Sequence, residues 1–133
     1  MKAKYFFRVL TLLYLAAVAV ICFANFSSVP TFSGTLFGLP KDKVVHFSMF
    51  FPFTVLAALS FPPASRKALA KIGAVLLYLL CGSLLAALTE YVQGKLPYRS
   101  MDPHDFVADA LGLLAGSFIL VFIFARRRGR RRA

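Results

Sequence analysis

The chain has 133 residues, of which 59% are hydrophobic and only 16% charged, and its mean hydropathy is +0.74. Soluble domains carry about a quarter charged residues, so this composition excludes an ordinary water-soluble globule and makes lipid the main solvent. The net charge of +11 does not mark a nucleic-acid binder, because the basic residues sit at the ends of apolar runs and in short loops rather than in one patch.

The first apolar run extends from Val9 to Phe26 behind Lys2, Lys4 and Arg8. Its length, and the lack of a small-x-small site around Cys22-Phe23-Ala24, predict an uncleaved helix rather than a signal peptide. Ile21 stands where a lipobox needs a small residue before Cys22. A connector with Pro30, Gly34, Gly38 and Pro40 follows.

The second span runs from about Val44 to Phe61. Lys43 and His46, one helical turn apart at its start, are expected to share a face, with the ammonium at the interface and the imidazole deeper. Pro52, mid-span, has no N–H to give and is expected to kink the helix. Pro62 and Pro63 then turn the chain.

The third span covers Ile72 to about Thr89 and ends on Glu90 and Gln93, whose shared face continues through Ala86 and Gly82. Gly94, Pro97 and Pro103 mark the next connector, and Asp102-Pro103-His104-Asp105 reads as a helix start. In it Asp102 is the cap, Pro103 the first helical residue, and Asp105 the carboxylate that reaches back.

The fourth span runs from about Phe106 to Ala125, interrupted only by Asp109. Asp105, Asp109, Gly112 and Gly116 form one stripe, and the last two make a G-x-x-x-G pair that admits a close backbone. The stripe therefore faces protein, so Asp109 points inward and needs a partner, for which Lys43 and Arg99 are the nearest cations. Leu113, off the stripe, is expected to tolerate enlargement. Residues 126–133 form a basic tail, read as a cytoplasmic anchor able to touch anionic headgroups.

Each run is close to the roughly 20 residues that cross a hydrocarbon layer. The expectation is an all-α membrane protein, one domain over residues 1–133 with four transmembrane helices. Twelve of the sixteen Lys and Arg fall on the side of the termini and of the Arg66-Lys67-Lys71 loop; Lys41, Lys43, Lys95 and Arg99 fall on the other. The positive-inside rule then places both termini in the cytoplasm. All five acidic residues and both histidines lie at the opposite, extracytoplasmic end. Cys22 and Cys81 sit inside apolar runs as small packing residues and indicate no compartment.

Each polar residue also has an ordinary explanation. Capping accounts for Asp102 and Asp105, His46 can donate to a neighbouring helix, and Glu90 with Arg99 can be a register-fixing ion pair. Their convergence on one rim favours a site: His46, Glu90, Asp105 and Asp109 are the acid/base candidates, and Lys43, Arg99 and Gln93 the ligand-binding ones. Asp102, His104, Asp105 and Glu90 offer mixed oxygen and imidazole donors, but their spacing carries no metal signature, so no metal or other cofactor is expected.

Asp42-Lys43-Val44-Val45-His46-Phe47, Glu90-Tyr91-Val92-Gln93, Pro97-Tyr98-Arg99-Ser100 and Asp105-x-x-x-Asp109-x-x-Gly112 together resemble the VanZ-like family of small bacterial membrane proteins. The resemblance covers residues 42–116. The chain departs from it at Asp109, where the family usually has Asn, and at Tyr98, where Gly commonly precedes the Arg. The departure at Asp109 adds an ionisable group. The resemblance implies a multi-pass protein of the bacterial cytoplasmic (inner) membrane, a cell-envelope setting and a link to glycopeptide (teicoplanin-type) resistance.

Two functions compete. One is binding of an anionic or glycosylated envelope lipid, or of a protein partner, at the extracytoplasmic face. The other is an enzyme acting on a phospho- or glyco-lipid of the outer leaflet, with Lys43 and Arg99 holding the headgroup, His46 or Glu90 moving protons, and Asp105 with Asp109 orienting them. No nucleophile is evident, and the Ser-Gly-His element of lipid phosphatases is absent. Nucleic acid is not an expected partner.

Overall fold

The structure, a computed structural model, describes residues 2–25, 34–36 and 38–129, with side chains to Arg126. The end of the first apolar run at Phe26, Pro30 of the first connector, and the side chains of the tail beyond Arg126 lie outside the described residues.

Four helices are long and apolar enough to cross a membrane: Lys2–Phe23, Lys41–Ser60, Ala68–Gln93 and Pro103–Arg126. They comprise α1 (Lys2–Phe23), α2 (Lys41–Phe50) with α3 (Phe53–Ser60), α4 (Ala68–Gln93) and α5 (Pro103–Gly129). Most run past the apolar stretches that identify them. Backbone hydrogen bonding continues through flanking charged residues, whose long side chains reach the headgroup layer. Ahead of α2, β1 (Thr35–Leu36) and β2 (Leu39–Pro40) form a minimal antiparallel pair, a small addition to the all-α expectation. Gly34 and Gly38, at φ 101° and 79°, take backbone conformations that L side chains avoid.

Long-range hydrogen bonds order the helices. At one end, the start of α1 meets the end of α3 through Thr11 and Ser60 (2.8 Å), and Lys71 at the start of α4 donates to the Phe124 carbonyl near the end of α5 (3.4 Å). At the other end, Gln93 Nε2 of α4 donates to the Cys22 carbonyl of α1 (3.0 Å). The crossings therefore alternate in direction, and the acidic residues collect at the second end.

Packing along α5 explains how the bundle closes without a hydrophobic force between helices in lipid. A Cβ at Gly112 would land on the Phe47 carbonyl oxygen and 3.1 Å from the Phe51 nitrogen; one at Gly116 would meet the Phe51 carbonyl and Thr54 Oγ1. The two glycines thus seat α5 against backbone of the second crossing at the point where it breaks. Pro52 causes the break, because it has no N–H for the carbonyl one turn back. The Tyr14 hydroxyl of α1 donates to the Met49 carbonyl beside it.

Leu113 does not match the expectation of a tolerant position. It is 1% exposed, in the core cluster with Phe50, Phe53, Ala86, Val18 and Cys22. Its contact with the Gly82 face of α4 gives α5 a second buried flank beside the glycine stripe. The lipid-facing surface is a different one: Leu69, Ile72, Leu76, Leu80, Leu84 and Leu88 are exposed along α4, and Leu111, Leu114, Phe118 and Phe122 along α5. Cys22 packs in the core as expected, whereas Cys81 is exposed on α4.

Candidate functional site

The polar group has an upper tier around an ammonium and a lower tier around an imidazole. Lys43 and His46, a turn apart on α2, direct their side chains towards the start of α5. Lys43 Nζ contacts Asp42 (3.2 Å), Asp102 (2.5 Å) and Asp105. Asp102 caps α5 by accepting from the His104 amide at 2.9 Å, and its carboxylate also lies 3.0 Å from His104 Nδ1. The hydrogen bond from Lys43, supported by those from His104, holds the Asp102 carboxyl well below the usual range.

The expected reciprocal cap does not form. Asp105 turns to Lys43 rather than back to Asp102, whose amide donates instead to Glu90 Oε2 at 3.3 Å. An ammonium offers a carboxylate more than a neutral amide does, and α4 supplies the replacement acceptor.

In the lower tier, His46 Nδ1 lies 2.9 Å from Asp109 Oδ1 and 3.7 Å from Glu90 Oε1, and its Nε2 lies 3.7 Å from Asp105 Oδ2. His46, Glu90 and Asp109 are 4%, 3% and 0% exposed. The partner of Asp109 is thus His46, not the expected Lys43 or Arg99. Lys43 is held at the rim by the upper carboxylates, and His46 is the residue one turn deeper. Among the described residues, Glu90 Oε1 and Asp109 Oδ2 have no hydrogen-bond partner.

A third set of contacts ties α1 to the site. Arg99 Nη2 donates to the carbonyls of Ile21 (3.1 Å) and Ala24 (3.5 Å), Gln93 Nε2 to that of Cys22, and the Tyr98 hydroxyl to that of Phe23 (2.9 Å). These are the last carbonyls of α1, which have no acceptor role within the helix and sit at the negative end of its dipole. Arg99, expected beside Glu90, is directed here to the end of α1.

A cavity of about 280 Å³ opens among these groups, lined by the carboxylates of Asp42, Asp102 and Asp105, by Gln93, Tyr98, Arg99 and Ser100, and by His46. His46 therefore belongs both to the cavity and to the buried tier. A larger cavity of about 390 Å³ lies at the basic end, among Arg66, Lys67, Lys71 and apolar residues of α4 and α5, and shares no residue with the acidic cluster.

The structure brings His46, Glu90, Asp105 and Asp109 together, with Lys43 above and Gln93 and Arg99 alongside. His104 stands apart, its side chain 84% exposed. The sequence assigned no site role to Asp42, Tyr98 or Ser100, which the cavity includes. Their signal was membership of the motifs around Lys43 and Arg99 that carry the family resemblance.

The chain is 34% identical over 88 residues to the uncharacterized protein C11E3.10 of Schizosaccharomyces pombe (strain 972 / ATCC 24843), a match covering 66% of this chain and 51% of the relative. The chain thus spans about half the length of that curated relative. No solved structure matches. The model of the VanZ/LLP1 family matches residues 7–125, which takes in every crossing and the whole polar cluster, and the chain belongs to that family.

Proposed function

We propose that this protein binds the sugar or polyol headgroup of an envelope lipid in the cavity at its acidic end, and that this end faces the outside of a bacterial cytoplasmic membrane. The orientation rests on the twelve basic residues of the opposite side. The observation that carries the ligand class is the cavity lining, in which three carboxylates and an amide accompany one guanidinium. Such walls accept hydrogen bonds from hydroxyl groups and repel a phosphate. Lys43, the other cation expected to hold an anionic headgroup, is already bound by Asp42, Asp102 and Asp105. The volume is at the low end of the roughly 300–1,000 Å³ of ligand sites, suited to a headgroup whose acyl chains stay outside on the apolar faces. Retention of such a lipid changes what a glycopeptide of the teicoplanin type meets at the cell surface, the link to resistance that the family resemblance implies.

The test is thermal stability in nanodiscs containing either a diglucosyl diacylglycerol or phosphatidylglycerol. The glycolipid should raise the Tm more, and Asp42→Asn with Gln93→Ala should reduce that gain. Equal shifts from the two lipids would remove the reading.

A second reading, an enzyme acting on the same lipid, is favoured by one feature: His46 has a carboxylate towards each ring nitrogen and lines the cavity. That arrangement orients an imidazole for proton transfer. Release of free sugar from the glycolipid by wild type but not by His46→Gln would establish it.

A further inference from the structure

Two carboxylates and an imidazole meet in the lower tier, with the Lys43 ammonium engaged above them by Asp42, Asp102 and Asp105. Glu90 and Asp109 are nearly or fully inaccessible, yet among the described residues Glu90 Oε1 and Asp109 Oδ2 find no hydrogen-bond donor. Buried carboxylate oxygens without donors are rare inside proteins and costlier still in a membrane interior. We propose that His46 Nδ1, Glu90 and Asp109 form a binding site for a divalent first-row transition-metal ion.

The geometry suits such an ion. One ligand atom from each residue lies within 4.8 Å of the others. The individual separations are 2.9 Å from His46 Nδ1 to Asp109 Oδ1 and 3.7 Å to Glu90 Oε1. Donors held about 2.1 Å from one ion lie about 3.0–3.4 Å apart at tetrahedral to octahedral angles, so the two separations from His46 Nδ1 each need only a few tenths of an ångström of adjustment. The ion would supply the positive charge that two carboxylates facing one imidazole lack. One nitrogen and two oxygens, with no thiolate, match Zn²⁺, Mn²⁺ or Fe²⁺ better than Cu⁺; the imidazole disfavours Mg²⁺ and Ca²⁺.

The surroundings are those of a supported metal site. Asp105 Oδ2 lies 3.7 Å from His46 Nε2, so with an ion on the Nδ1 lone pair the ring proton would sit on Nε2, on the side of a carboxylate. The Asp102 amide holds Glu90 Oε2, which leaves Oε1 turned to His46. Of the three ligands His46 also lines the cavity, so an ion would enter past its imidazole. The other acidic group, Asp42, Asp102 and Asp105, makes no such site, since the Lys43 ammonium already occupies its centre. The site does not depend on the lipid reading, because a metal measurement succeeds or fails whichever lipid binds.

Protein purified in detergent without chelator should contain about one Zn, Mn or Fe per chain by plasma mass spectrometry. After stripping with EDTA, Zn²⁺ or Mn²⁺ should raise the Tm saturably, whereas Mg²⁺ should not. Glu90→Gln should lower metal content at least tenfold, His104→Ala should leave it unchanged, and Asp105→Asn should weaken affinity about 10- to 100-fold, as loss of an orienting carboxylate does. Wild-type protein with under about a tenth of an ion per chain and no Tm response to Zn²⁺, Mn²⁺ or Fe²⁺ would overturn the proposal and leave protons as the occupants. A metal response that survives in Glu90→Gln, or is lost in His104→Ala, would overturn it as well by placing the ion elsewhere. The wild-type measurements decide even where a variant fails to assemble.

Discussion

Replacing Gly112 by Ala tests a close backbone contact between α5 and the second crossing and its link to the site. The added Cβ would strike the Phe47 carbonyl oxygen, with the Phe51 nitrogen at 3.1 Å and the Phe47 carbonyl carbon at 3.2 Å. All are backbone atoms, so no rotamer change relieves the clash and α5 must move away from α2. Overpacking of this kind costs about 1–3 kcal/mol, to which the contacts opened around the stripe add. Against it stands a gain of about 1 kcal/mol from replacing Gly by Ala within a helix. A net loss of about 1–2 kcal/mol is expected for Gly112→Ala, and failure to assemble for Gly112→Leu. Leu111→Ala, at a lipid-facing position 54% exposed, should change stability by no more than about 0.5 kcal/mol. Thermal unfolding of the three variants in one detergent measures the differences. Because His46 precedes Phe47 directly and Asp109 lies one turn before Gly112, the Ala variant should also weaken ligand or metal binding at the lower tier. Equal stability of Gly112→Ala and Leu111→Ala would show that the α2 and α5 backbones are not in contact and would refute the reasoning.

Breaking the buried pair with His46→Leu should cost about 3–5 kcal/mol, the usual loss when one partner of a buried ion pair is removed, and adding Asp109→Asn should recover part of it; a strictly additive double variant in a thermal-stability cycle would deny the coupling. Leu113→Ala should cost about 2–5 kcal/mol through the cavity left beside Gly82, a loss measured in the same melts. Arg99→Ala should loosen the end of α1, seen as faster maleimide labelling of the buried Cys22 in a Cys81→Ala background; unchanged labelling would mean that the clamp on Ile21 and Ala24 is dispensable. Reporters fused after Ala133 and within residues 62–66 should read as cytoplasmic, and one within residues 27–40 as external; a cytoplasmic first loop would reverse the orientation and the face assigned to the site.

The sequence alone determined the four crossings, since lipid accepts only chain whose backbone polar groups are satisfied internally, and charge-free runs of the right length leave a helix as the single solution. It also determined that Asp109, Gly112 and Gly116 turn inward, because helical periodicity places them on one stripe and neither an ionised group nor a glycine notch has use against lipid. Pro52 announced the break in the second crossing by its missing N–H. Tertiary structure decided what periodicity cannot express, namely the rotation and depth of each helix relative to its neighbours. A stripe says which residues face protein but not which residue stands opposite, so Asp109 finds His46 rather than Lys43 or Arg99. Leu113, one position off the glycine stripe, is buried because α4 also flanks α5 and presents Gly82 to it. Arg99 goes to the open carbonyls of α1 because that helix contributes the partial negative charge of its end, which no residue letter records.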